Sequence, residues 1–109
     1  MAHFFSFFDM PYKPLNQNVS SRMMAGEGLM FVEHKAKKGH IAVDDRHVNE
    51  QLTLVMSGLL RMTVEGKTHL LKPGNAILIP SNVVHTCEVL EDSVVIEVFS
   101  PPRKEWLSK

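Results

Sequence analysis

Val, Ile, Leu, Met and Phe fall in short runs cut by Gly, Pro, Asn and Asp, and no long stretch carries an apolar stripe at helical spacing. The pattern predicts an all-β protein. Its clearest piece lies between Gly58 and Leu70, where Leu60, Met62 and Val64 alternate with Arg61, Thr63 and Glu65 before a turn at Gly66. Side chains two apart share a strand face, so this segment reads as a hairpin with one dry and one wet face. Further strands are predicted over residues 23–25, 29–35, 52–56, 76–79, 85–90 and 94–99, bounded by turn chemistry such as Lys72-Pro73-Gly74-Asn75 and Pro80-Ser81-Asn82. A strand spacing of roughly 8 to 12 residues suggests a sandwich or barrel. After Pro101-Pro102 there is room only for a short helical turn or tail.

At 109 residues the chain can bury one core and is too short for two ordinary domains. A single domain over 1–109 is expected, with its core at about 29–100, an N-terminal arm over 1–28 and a tail over 101–109. Twelve Lys and Arg balance twelve Asp and Glu, which argues against nucleic acid or an anionic membrane as a partner. No apolar run reaches the roughly 18 to 20 residues of a membrane span, and the stretch from Phe4 to Phe8 is broken by Ser6 with no basic region before it. A cytoplasmic protein is expected. Cys87 stands alone, so neither an intrachain disulfide nor a thiolate-rich zinc site is available to it, and it reads as a small buried hydrophobe. Phe4, Phe5, Phe7 and Phe8 read as an arm packed on the core or on a partner subunit; because these rings need cover, a homodimer is expected.

A scattered His is ordinarily a surface or satisfied core residue, so position must separate the six present. Asp45 and His47 are two apart and project from one face of an extended segment, Gln51 follows after Val48-Asn49-Glu50, and His85 heads another strand after Pro80-Ser81-Asn82. Imidazole, carboxylate and amide oxygen together suit a mid-row divalent ion better than a thiolate-preferring one. Asp45 also reads as a loop carboxylate neutralised by Arg46. Glu97 shares a face with Val95 and Phe99, where a carboxylate is costly unless paired or useful; the plain alternative is an edge position paired with Arg or Lys. Arg103 is either a surface residue or a bidentate partner for a substrate carboxylate. His3, His34, His40 and His69 bear no spacing relation to these positions and read as ordinary histidines.

Gly39, Asp45, His47, Gln51 and Gly58 resemble the first motif of the cupins, in which Gly, His, His, Glu or Gln, and Gly recur at this spacing; only Asp45, where the family has His, departs from it. Gly74, Pro80, Asn82 and His85 match the second motif. Two motifs with correct internal spacing, in the correct order, make the resemblance specific, and it extends from about Leu29 to Trp106. It implies a single-domain jelly-roll β-barrel of the RmlC-like kind. Through the motif spacing Gln51 is in register with His47, whereas Glu50, its neighbour on a strand, faces the other way into solvent.

Within that superfamily, Glu50-Gln51, Leu71-Lys72-Pro73-Gly74 and the run from Glu91 to Arg103 resemble the pectin-degradation cupins of the KdgF type. Those enzymes convert the ring form of a 4,5-unsaturated uronate into the open-chain keto form. The resemblance implies one divalent metal ion (nickel, zinc, manganese or iron) at the positions of Asp45, His47, Gln51 and His85. It also implies a small sugar-acid substrate handled by Glu97 as acid/base, Phe99 as aromatic and Arg103 as carboxylate partner. Glu97 stands where that family has Asp, which lengthens the acid/base by one methylene. Two other functions compete with this one. Two His and one carboxylate also serve Fe(II) oxygenases, and a non-catalytic module binding metal or sugar would use the same fold.

Overall fold

The computed structural model describes residues 1–107. Phe7–Asp9 form one 3₁₀ turn, and the chain then runs through β1 (Lys13–Pro14), β2 (Val19–Ala25), β3 (Met30–Ala36), β4 (Ile41–Asp45), β5 (Glu50–Val64), β6 (Lys67–Leu71), β7 (Ala76–Ile79) and β8 (His85–Ser100). A helical turn, α1 (Lys104–Leu107), follows. The strands form one antiparallel sheet in the order β1-β2-β3-β8-β5-β6, with β4 also on β8 and β7 also on β5. Among the described residues no pairing joins β1 to β6, so the expected jelly-roll barrel is present as a single, unclosed eight-stranded sheet. No helix among the described residues is long and apolar enough to cross a membrane.

The alternation read from the sequence holds in the hairpin of β5 and β6, where Leu60, Met62 and Val64 are buried and Arg61 is exposed. The strands expected at 52–56 and after Gly58 are, however, one strand, β5, and those expected at 85–90 and 94–99 are likewise one, β8. The misreading has a local cause. The register between β5 and β8 slips repeatedly from Val55 to Leu60, and a bulge of this kind interrupts the two-residue period without ending the strand. Gly58 sits in the slip at φ +92°, and a Cβ there would lie 2.1 Å from Ser93 Oγ and 2.5 Å from the Asp92 carbonyl oxygen. The Ser93 hydroxyl accepts from the Leu59 N–H at 3.0 Å and donates to the Glu91 carbonyl at 2.7 Å, which ties the two bent strands together. Gly58→Ala is therefore expected to cost at least about 2 kcal/mol, read as a lower urea midpoint with an unchanged slope.

Three strand segments lie outside the predicted ones: the two-residue β1, β4 and the first part of β2. In β4, Ile41 and Val43 are exposed, so apolar side chains face outward and no inward alternation is visible. In β2 the stretch before Met23 is polar, although Val19 and Ser21 face inward.

Two apolar clusters fill the inner face. One contains Val55, Leu60, Met62, Ile79, Val89 and Val95, and the other Met30, Val32 and Phe99. On β8, Glu97 falls between Val95 of the first cluster and Phe99 of the second, and His34 on β3 and Thr53 on β5 extend this polar row to either side. The outer face has its own apolar row. Phe31, Val98, Leu52 and Leu78 are paired in register across β3, β8, β5 and β7. Phe7 packs edge-on against Phe31 at 5.2 Å, while Phe4 and Phe8 are 93% and 81% exposed.

Candidate metal centre

β4 pairs with β8 so that Asp45 stands opposite His85. The turn before β8 is fastened to the other motif: Asn82, at a positive φ of 64°, donates its N–H to the His47 carbonyl at 2.8 Å. Asp45 Oδ2 lies 3.9 Å from His47 Nε2 and 3.8 Å from His85 Nε2, and one donor atom from each of the three lies within 4.8 Å of the others.

Hydrogen bonds behind the rings decide which nitrogens are free. His47 donates its Nδ1–H to the Asn49 carbonyl and His85 its Nδ1–H to the Val83 carbonyl, each at 2.9 Å. In the neutral rings both Nε2 lone pairs then point into the cluster, the arrangement metal-binding imidazoles adopt. Gln51 Oε1 is 3.0 Å from His47 Nε2, while the amide nitrogen is committed elsewhere, donating to Thr53 Oγ1 at 2.8 Å and Glu97 Oε2 at 2.6 Å. Two electron-pair donors therefore face each other, and a cation is the natural partner for both. The donor set of two imidazoles, a carboxylate and an amide oxygen fits a divalent ion. Asp45 turns towards this cluster and towards Arg103 Nη1, 3.7 Å away, rather than serving as a detached loop carboxylate.

Glu97 lies directly behind Gln51. β8 runs in the interior of the sheet, so the edge position paired with Arg or Lys is not what the structure contains. The carboxylate accepts from His34 Nε2 at 2.8 Å, Thr53 Oγ1 at 2.7 Å and Gln51 Nε2. Burial alone would raise its pKa. The His34 hydrogen bond and charge, the Thr53 hydroxyl and the Arg103 charge outweigh burial and hold the carboxyl below its ordinary value.

The Pro101-Pro102 segment brings Arg103 back over the site, fastened by Asn49 Nδ2 donating to the Pro101 carbonyl at 2.6 Å. The guanidinium stacks 4.2 Å from the Trp106 ring centroid, and its Nε donates to Glu105 at 3.1 Å. Asp45, Gln51, His85, Glu97, Arg103 and Trp106 line one cavity of about 280 Å³. Phe99 does not. It is 0% exposed, edge-on to His47 at 5.8 Å and to Trp106 at 5.2 Å, so it supports the His47 ring from below and offers no face to a sugar.

His34 corrects the sequence reading most sharply, because a side chain that reads as ordinary in the sequence is the direct partner of Glu97. Strand period does carry a signal for it: His34 is two residues from Val32 and four from Met30, both wholly buried, so an imidazole was placed on the dry face of β3. Trp106 offered no comparable signal, since it lies beyond two prolines in a four-residue helical turn.

The fold and this cluster define a class of protein. The chain belongs to the cupins, whose cupin domain family matches residues 32–100. Over 110 residues it is 29% identical to the pectin degradation protein KdgF of Dickeya dadantii (strain 3937), spanning 98% of this chain and 100% of that protein. It also superimposes on the solved structure of KdgF from Halomonas sp. with a TM-score of 0.88 at 27% identity, covering 96% of this chain and 98% of that one. An RmlC-like cupin from Shewanella frigidimarina gives the same TM-score at 22% identity, over 97% of this chain and 96% of that one, and shows the fold alone.

Proposed function

We propose that this cupin is a cytoplasmic, metal-dependent enzyme of pectin breakdown that opens and ketonises a 4,5-unsaturated uronate, with one divalent ion held by Asp45, His47, Gln51 and His85. The observation that carries this reading is the convergence of the His47 and His85 Nε2 atoms, whose Nδ1 atoms are bonded to backbone carbonyls, with the Gln51 oxygen beside the half-buried Glu97 carboxylate, at a cavity of monosaccharide scale. The resemblance to the pectin degradation protein KdgF of Dickeya dadantii supports the substrate class.

An ion at these residues supplies positive charge to substrate oxygens. The remaining work falls to the chain. The Arg103 guanidinium, stacked on Trp106, offers a planar fork to the substrate carboxylate. The reaction is an isomerisation: a proton leaves the anomeric hydroxyl, the bond from C1 to the ring oxygen breaks, and a proton arrives at C4. Glu97, held ionised at neutral pH, is suited to accept the first proton and return one to carbon. Incubating metal-loaded protein with an unsaturated galacturonate should bleach the ultraviolet absorbance of the conjugated double bond. Ligand binding without turnover would make the protein a binding module, and oxygen uptake with Fe(II) would make it an oxygenase.

Asp45→His should strengthen binding of nickel or zinc roughly tenfold, because an imidazole nitrogen replaces a carboxylate oxygen. Titration calorimetry reads this directly, and unchanged affinity would place residue 45 off the ion. We further propose a homodimer. The exposed Phe4 and Phe8 and the outer row of Phe31, Val98, Leu52 and Leu78 are apolar surfaces that a second copy covers. Sedimentation equilibrium should give twice the chain mass at micromolar concentration.

A further inference from the structure

We infer that His34 is a positioning residue for the metal centre: by anchoring Glu97 it fixes which end of the Gln51 amide faces the ion. The inference rests on the reading of Gln51 as a metal ligand and adds a residue outside both cupin motifs.

Ser21, His34, Glu97 and Gln51 stand on β2, β3, β8 and β5, adjacent strands of the sheet, and their side chains form one continuous chain on its inner face. An ionised carboxylate only accepts hydrogen bonds. Each neighbour of Glu97 must therefore turn a donor towards it, and Gln51 does so with Nε2. A planar amide has its oxygen opposite its nitrogen, so committing Nε2 to Glu97 and Thr53 leaves Oε1 beside His47. Had the amide turned over, N–H groups, which cannot ligate a cation, would face His47.

His34 keeps Glu97 in the place that enforces this choice. Its Nε2 is 2.8 Å from Glu97 Oε1, leaving Oε2 to Gln51 and Thr53. The His34 ring is itself held. Ser21 Oγ lies 2.6 Å from its Nδ1, within hydrogen-bond distance, and Trp106 packs edge-on at 5.4 Å. His34 and Ser21 are both buried, and His34 lines the same cavity as Glu97. Without His34, Glu97 loses the donor on its far oxygen and is held at its near oxygen alone, by Thr53 and by the amide it is meant to orient.

Cobalt(II) binding to chelator-treated protein tests this without an activity assay. His34→Ala is expected to weaken cobalt affinity about 10- to 100-fold, the usual effect of removing a residue that orients a ligand. In a Gln51→Ala background the same substitution should change affinity less than about twofold, because a residue acting through the Gln51 amide has nothing left to act on. His34→Gln, which keeps an N–H near the Nε2 position, should stay within about threefold of wild type. His34→Leu, of similar bulk and lacking a donor, carries the same expectation as alanine should the alanine variant fail to fold. The visible spectrum of the cobalt form of His34→Ala or Leu should match that of Gln51→Ala. Equal losses in both backgrounds, unchanged affinity in the alanine and leucine variants, or a glutamine variant as weak as alanine would each overturn the role of His34 while leaving the metal centre standing. If wild-type protein binds neither cobalt nor nickel, the metal reading falls and this inference falls with it.

Discussion

Glu97→Gln is expected to lower turnover of an unsaturated uronate by roughly 10²- to 10⁴-fold, the usual contribution of a positioned proton-transfer group. The substitution keeps shape and removes the titrating proton. It also places an amide among donors, because His34 Nε2, Thr53 Oγ1 and Gln51 Nε2 all point at the Glu97 carboxylate. The Thr53 hydroxyl can rotate to accept from the new amide, but Gln51 can also respond by turning over, so turnover must be normalised to bound metal. Full activity per bound ion would remove Glu97 from the chemistry. Arg103→Ala provides the contrast. Its guanidinium contributes binding through a charge-assisted fork, so the main change should be a higher KM, with kcat reduced far less than in Glu97→Gln.

How far the site could be read from sequence follows from which relations are local. Asp45, His47 and Gln51 lie close together along the chain, and His85 is tied to them by a second motif of fixed spacing, so their convergence was legible. The inward direction of Glu97 followed from its sharing a face with Val95 and Phe99. Its partner was not legible, because His34 and Glu97 are 63 residues apart and meet only through the pairing of β3 with β8. The same limit applies to β5 and β8. Their continuity depends on a register slip that looks, in one dimension, like a turn at Gly58. Phe99 shows the converse error: strand period placed it correctly on the inner face, but period does not tell a residue lining a cavity from one beneath its floor.

Cys87 should react with iodoacetamide about 10³-fold more slowly in the folded, chelator-treated protein than in the chain unfolded in urea. The thiol lines the cavity on the inner face of β8, two residues from His85 and two from Val89. Burial, chiefly, and then the nearby charges of Glu97 and Glu88 push its pKa up to about 12. The thiolate is the nucleophile, and an ordinary cysteine with a pKa near 8.5 is about one quarter ionised at pH 8. A thiol titrating near 12 is ionised to about one part in 10⁴ at that pH, which sets the expected ratio of rates. The charge contribution has a sign that can be checked. Removing the negative charge in Glu97→Gln should lower the thiol pKa and speed alkylation, whereas a change that merely closed the cavity would slow it. A folded-state rate within about tenfold of the unfolded chain's would mean that the Cys87 sulfur is solvated, and the inner face of β8 would then carry His85 and Glu97 in a much wetter site than the one from which their chemistry is argued.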